Sequence, residues 1–209
     1  MSKLKSPLSL FFATLALILL LALFGPEEKS LGANVRIVYL HGAWVIAAEA
    51  AFLAAGAAGA LALLGGMLRP ARFASLHSWS AALGRSGIIF WVSYLPLSLW
   101  AMQTNWNGLF LVEPRFQLAL TFAIVGVLMQ AGLWLLKNPS LTSAANLAYI
   151  VLLRVIFAQA SNIMHPPPSP ILKSGLWNVI LFFVALNLLS WLAAGFLTLA
   201  WRRAESSQI

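Results

Sequence analysis

The chain has 209 residues, 61% of them hydrophobic and only 9% charged, with a mean hydropathy of +0.89 and a formal charge of +8. Soluble domains carry roughly 25% charged residues, so an ordinary globular protein is excluded, and about 20 residues per crossing allows about six membrane helices with no sizeable soluble domain. The positive charge belongs with loops held on the cytoplasmic side rather than with a nucleic-acid face, and the absence of cysteine excludes disulfides, thiolate metal sites and covalent haem attachment to this chain.

Residues 7–24 form the first expected span. It follows Lys3 and Lys5 as a signal peptide would, but its length and its lack of a small-x-small cleavage site predict a retained helix. The second span, residues 37–68, is longer than one crossing needs, so its outer end is expected to project beyond the hydrocarbon and carry His41 near the interface. Its many Ala and Gly positions suit close helix approach. Arg69, Pro70, Ala71 and Arg72 then return the chain to the cytoplasmic side, with His77 expected in a loop.

Residues 80–102 are the third span, with Arg85 near enough to the inner surface to snorkel. A short polar and aromatic interval, residues 106–116, follows outside and contains Trp106, Glu113, Pro114 and Arg115. The fourth span, 116–136, ends at Lys137, and the fifth, 141–164, breaks at His165, where Pro166, Pro167, Pro168 and Pro170 favour an extended loop. The sixth, 175–201, stops at Arg202 and Arg203. Lys3, Lys5, Arg69, Arg72, Lys137, Arg202 and Arg203 inside outnumber Lys29, Arg36, Arg115 and Lys173 outside, which places both termini in the cytoplasm. The expectation is an all-α polytopic membrane protein with six transmembrane helices, and residues 1–209 form a single integral membrane domain.

Two of the three histidines, His41 and His165, fall at outer helix ends, and imidazole is a common axial ligand of haem iron. The plainer reading of each is an interfacial residue bonded to its own loop. Trp79, Trp134, Trp177, Trp191 and Trp201 read as headgroup-belt residues. Trp44, Trp100 and Trp106 lie near the outer histidines and are placed either in that belt or against a flat apolar ligand.

Charges inside a span are costly and are paired or functional. Glu49 lies about 12 Å inward from His41 and Arg154 about 16 Å inward from His165 at the helical rise, so the two are predicted to pair across the second and fifth helices. A structural ion pair is favoured over contact with a ligand carboxylate. The chain has no Ser-His-Asp pattern, no phosphate loop and no Asp, so no enzyme is indicated, and an ATP-driven function would require a separate ATPase subunit.

Val35-Arg36-Ile37-Val38-Tyr39-Leu40-His41, followed by Trp44, resembles the R-I-x-Y-x-H…W start of the second helix in CcmC-type cytochrome c assembly proteins, the haem-handling membrane subunits of that pathway. Trp106 to Arg115 falls where that family carries W-G-x-W-W-x-W-D-x-R, and Asn162 to His165 where it carries W-W-N-x-L-H. Three of the four loop tryptophans are replaced here by Leu109, Phe110 and Val112, the Asp is Glu113, and Ala160-Ser161 stands in place of the second Trp pair.

The resemblance covers residues 30 to 203. It implies six helices in a bacterial inner (cytoplasmic) membrane and haem b held at the outer face with His41 and His165 as metal ligands. Trp44, Trp106, Glu113 and Arg115 would surround it, with Arg36, Arg115 or Lys173 meeting the propionates. The haem would pass to an extracytoplasmic haem chaperone or apocytochrome for cytochrome c maturation. Two alternatives stay open: a structural subunit of a larger respiratory or photosynthetic membrane complex that keeps the fold without haem handling, and a permease half working with an ATPase.

Overall fold

Proline sets most of the helix starts. A proline at the first helical turn lacks only an N–H that would have no intrahelical partner there, and α1 (Pro7–Leu23), α3 (Pro70–Trp106), α4 (Pro114–Leu136) and α5 (Pro139–Gln159) all begin on one. The computed structural model describes residues 6–161 and 171–206, and α2 (Val35–Leu68) and α6 (Trp177–Ser206) complete its six helices. Side-chain caps add to the proline signal: the Ser6 hydroxyl accepts from the Ser9 amide at 3.1 Å and Asn138 Oδ1 from the Leu141 amide at 2.9 Å. Asn107 and Lys137 close α3 and α4 in the left-handed region, at φ 52° and 50°.

Among the described residues, α2, α4, α5 and α6 are long and apolar enough to cross a membrane. The first apolar helix is shorter, at 17 residues. The third is the longest, at 37 residues, but Arg72, His77, Arg85 and several serines make it more polar than the others.

Boundaries differ from the sequence expectation at several helix ends, one of them where a proline restarts a helix instead of ending one. Only Arg69 separates α2 from α3, so the loop expected to hold His77 does not exist and His77 is helical. At the other end of the chain α6 runs on to Ser206, which puts Arg202 and Arg203 in its last turns rather than beyond it. The fifth helix ends at Gln159, with Ala160 extended, short of the expected 164.

Successive helices run antiparallel, and α2 and α3 form the centre, α2 touching α1, α3, α5 and α6 and α3 touching α2, α4, α5 and α6. The register of α3 is fixed by a buried polar chain. Gln130 Nε2 on α4 donates to Asn146 Oδ1 on α5 at 2.8 Å, Asn146 Nδ2 donates to the Ser80 carbonyl on α3 at 2.9 Å, and the Ser80 hydroxyl donates to the Ala55 carbonyl on α2 at 2.9 Å. Glycines let the backbones close around it: a Cβ on Gly59 would lie 2.6 Å from the Ser143 carbonyl oxygen, and one on Gly84 2.7 Å from Asn146 Oδ1.

A clasp joins α1 to α2. Arg36 Nε donates to the Gly25 carbonyl at 3.0 Å, Tyr39 donates to the Pro26 carbonyl at 2.9 Å, and Asn34 Nδ2 reaches the Thr104 carbonyl at the end of α3 at 3.0 Å. Within the loop the Glu28 carboxylate accepts from the Ser30 hydroxyl and from the Ser30 and Leu31 amides, and the hydroxyl bond above all holds the Glu28 carboxyl below its ordinary 4.5.

Overpacking at Gly59 should be expensive. Gly59→Leu is expected to lower stability by about 1–3 kcal/mol, read as a lower unfolding temperature in detergent, whereas Gly132→Ala, where nothing lies within 4 Å, should be neutral or stabilising. Equal effects from the two would mean that α2 and α5 are not in close contact. Because folding depresses the Glu28 carboxyl, its support of the loop is complete above about pH 4.5 and is lost as pH falls through the lower folded value. Amide exchange at Ser30 and Leu31 should accelerate over that acidic range, and pH-independent protection would contradict the assignment.

Candidate functional site

Antiparallel connection brings the start of α2, the end of α3, the start of α4 and the end of α5 to one end of the bundle. His41 is there, the seventh residue of α2 and so just under two turns in, half-buried, with its ring 5.5 Å from that of Tyr94 on α3. Beside it Gly42 admits the Phe183 ring of α6, 3.1 Å from where a Cβ would stand. The chain leaves α5 at Ala160 and is described again from Ile171, which is buried in the core. His165 lies in that interval, outside the described residues, as does Asn162.

The remaining expected site residues divide into two groups. Trp106 ends α3, with its ring edge-on to Phe110 at 6.0 Å, and Glu113 and Arg115 flank the start of α4. Glu113 is 2% exposed, and Arg115 is half-buried with an Nε that has no hydrogen-bond partner. Trp44 belongs instead to the α2–α3 interface: its indole N–H donates to the Ser93 hydroxyl at 2.9 Å and its ring lies 5.0 Å from Phe90. It is a core residue rather than a headgroup one, whereas Trp100 is 57% exposed, as a belt residue would be. Of the cations considered for propionates, Arg36 is engaged by the α1–α2 clasp, where it also lies 3.7 Å from Glu27, and Lys173 is exposed.

Deeper along the same half, Arg154 Nη1 meets Glu49 Oε2 at 2.7 Å across α2 and α5, the pairing expected from their depths. Trp91, which sequence reading passed over, lies beneath this group, 1% exposed, with its N–H on the Ala119 carbonyl at 3.0 Å and its ring 5.0 Å from Tyr94 and 5.7 Å from Phe157. Its signal was available: a Trp in mid-span, far from either belt, must find a partner for its N–H within the protein.

This end of the bundle therefore carries an imidazole, an aromatic pair at the end of α3 and a guanidinium whose buried Nε–H has no hydrogen-bond partner among the described residues. Among the described residues no three His, Cys, Asp or Glu side chains gather as a metal cluster. No protein-family model, curated protein or solved structure matches the chain.

Removing either member of the Glu49–Arg154 pair leaves the other charge without its partner. Glu49→Gln and Arg154→Gln should each reduce accumulation of folded protein, and a double-mutant cycle should return a coupling of about 0.5–3 kcal/mol. Normal levels of both single variants would rule out a structural pair.

Proposed function

We propose that the chain is a six-span, CcmC-like protein of a bacterial inner membrane, with both termini cytoplasmic, that binds haem b at its outer face through His41 and His165 and presents it for cytochrome c maturation. The observation that carries this reading is the gathering of His41, Trp106, Glu113 and Arg115 at the same end of the bundle from which α5 departs toward His165. In this reading haem is cargo, whose iron takes two imidazoles. Trp106 and Phe110 cover part of the ring, and Arg115 turns its free N–H to a propionate, a charge-assisted bond stronger than a neutral one. The acceptor is an extracytoplasmic haem chaperone or apocytochrome.

A second reading draws on the α3–α4 turn. Leu109, Leu111 and Val112 are 54%, 51% and 71% exposed there, and an apolar loop tip suits contact with another subunit. This favours a structural role in a larger respiratory or photosynthetic complex.

Purified protein supplemented with haem should show a low-spin absorption spectrum that is lost in both His41→Ala and His165→Ala. A preparation that stays colourless defeats the haem reading, and co-purification with a large complex without stoichiometric haem selects the structural one.

A further inference from the structure

The end of the bundle opposite His41 holds a cavity of about 530 Å³ between α3, α4, α5 and α6. Its wall combines charge with indole rings: His77, Arg85, Trp134, Lys137, Trp201 and Glu205 all line it. Arg85 is already engaged, 2.5 Å from Glu205 and 5.7 Å above the Trp201 ring. His77 faces the same space with Nδ1 at 2.8 Å from the Ser143 hydroxyl. Lys137 differs from both, since it is exposed and has no ion-pair partner among the described residues.

Two cations and one carboxylate leave this lining with one unit of positive charge, since Arg85 and Lys137 face only Glu205. A single negative charge balances it. Trp134, which lines the cavity, is exposed, as are Leu135 and Leu136 after it on α4, a helix apolar enough to cross a membrane, so an apolar chain has a surface to lie along. We infer that this cavity is a binding site for a phosphodiester monoanion carried on a lipid, with the phosphate on Lys137 and Arg85 and the acyl chains along Trp134 and the end of α4. The lysine supplies a point charge and the guanidinium a directional donor, a pairing suited to phosphate oxygens. The Arg85–Glu205 contact sets how much of that guanidinium the ligand can reach.

The full chain, delipidated in a neutral detergent, is titrated with dioleoyl phosphatidylglycerol or dioleoyl phosphatidylcholine, and bound lipid is counted by native mass spectrometry. The two lipids share the phosphodiester and differ in net charge. Phosphatidylglycerol should bind about tenfold more tightly, the order of one charge-assisted contact. Lys137→Gln should abolish that preference and Lys137→Arg preserve it, while Glu205→Gln, by releasing Arg85, should strengthen it. Lys137 is exposed, so the Gln variant should unfold at the wild-type temperature, and Lys137→Arg decides the matter if Glu205→Gln does not fold. Inorganic phosphate is added as a competitor: displacement of the lipid at millimolar phosphate keeps the anion site but assigns it to a soluble phosphate, and failure to displace assigns it to the lipid. Equal retention of the two lipids by the wild type, or an unchanged preference in Lys137→Gln, overturns the inference. None of these measurements involves haem, so they stand apart from the reading of the His41 end.

Discussion

Asn146 fixes the register on which the rest of the bundle depends. Its amide is 3% exposed at the meeting of four helices, accepting from Gln130 and donating to Ser80. In a hydrocarbon surrounding, no water replaces a lost partner, and an unsatisfied amide costs several kcal/mol. Sliding any one helix along another would break this chain, while Gly59 and Gly84 bring the backbones close enough for it to form. Two positions elsewhere follow from the same register. Arg154 lies eight residues beyond Asn146, about 12 Å along α5, which delivers it to Glu49. Ser143, three residues before it, meets His77.

Between the polar centre and the His41 end the packing is aromatic. Tyr149 contacts Phe52 at 4.9 Å, Phe52 contacts Trp91 at 6.1 Å, Trp91 contacts Tyr94 at 5.0 Å, and Tyr94 contacts His41 at 5.5 Å. Large rings with few rotatable bonds lose little side-chain entropy on packing and make poor hinges. The column therefore holds the His41 ring against a stiff support that is itself hydrogen-bonded: Tyr149 donates to the Phe122 carbonyl at 2.7 Å and Trp91 to that of Ala119. A side chain placed this way is oriented by packing from below, which leaves the end of the bundle to set what it meets above.

Four of the expected spans, α2, α4, α5 and α6, were legible in the sequence because apolar length survives any arrangement of neighbours. Helix ends were less so. Pro70, Pro114 and Pro139 read as breaks, yet each is the first residue of a helix, and only the identity of the preceding residue's conformation separates the two outcomes. The Glu49–Arg154 pair was legible because charge in a span has few solutions and depth can be counted. Arg85–Glu205 was hidden, since Glu205 seemed to lie past the last helix. Trp44 and the Gln130–Asn146–Ser80 chain were hidden for another reason: which way a side chain points depends on helix phase against neighbours, which a single sequence does not carry. His165, on which the expected site depends most, lies outside the described residues.

The two ends of the bundle differ in charge as well as in packing. Among the described residues the His77 end holds Arg69, Arg72, Arg85, Lys137, Arg202 and Arg203 with Glu205 as its one carboxylate, while the His41 end sets Lys29, Arg36, Arg115, Arg154 and Lys173 against four glutamates. The first face is thus strongly cationic and the second nearly neutral. A leaflet rich in anionic lipid attracts basic residues by about 1 kcal/mol each near its surface, so the His77 end is the one that such a leaflet would hold. Salt bridges leave the contrast in place: Glu205 pairs with Arg85 at the first end, while Glu27 and Glu49 are both paired at the other. Arg202 is held over the Trp79 ring at 4.8 Å and bonded to the Ser78 hydroxyl, contacts that leave its charge uncompensated. That surplus is a property of the whole face, and the cavity beside Lys137 is where it meets a recess lined by Arg85 and two indole rings, in which one anion is selected over its zwitterionic neighbours.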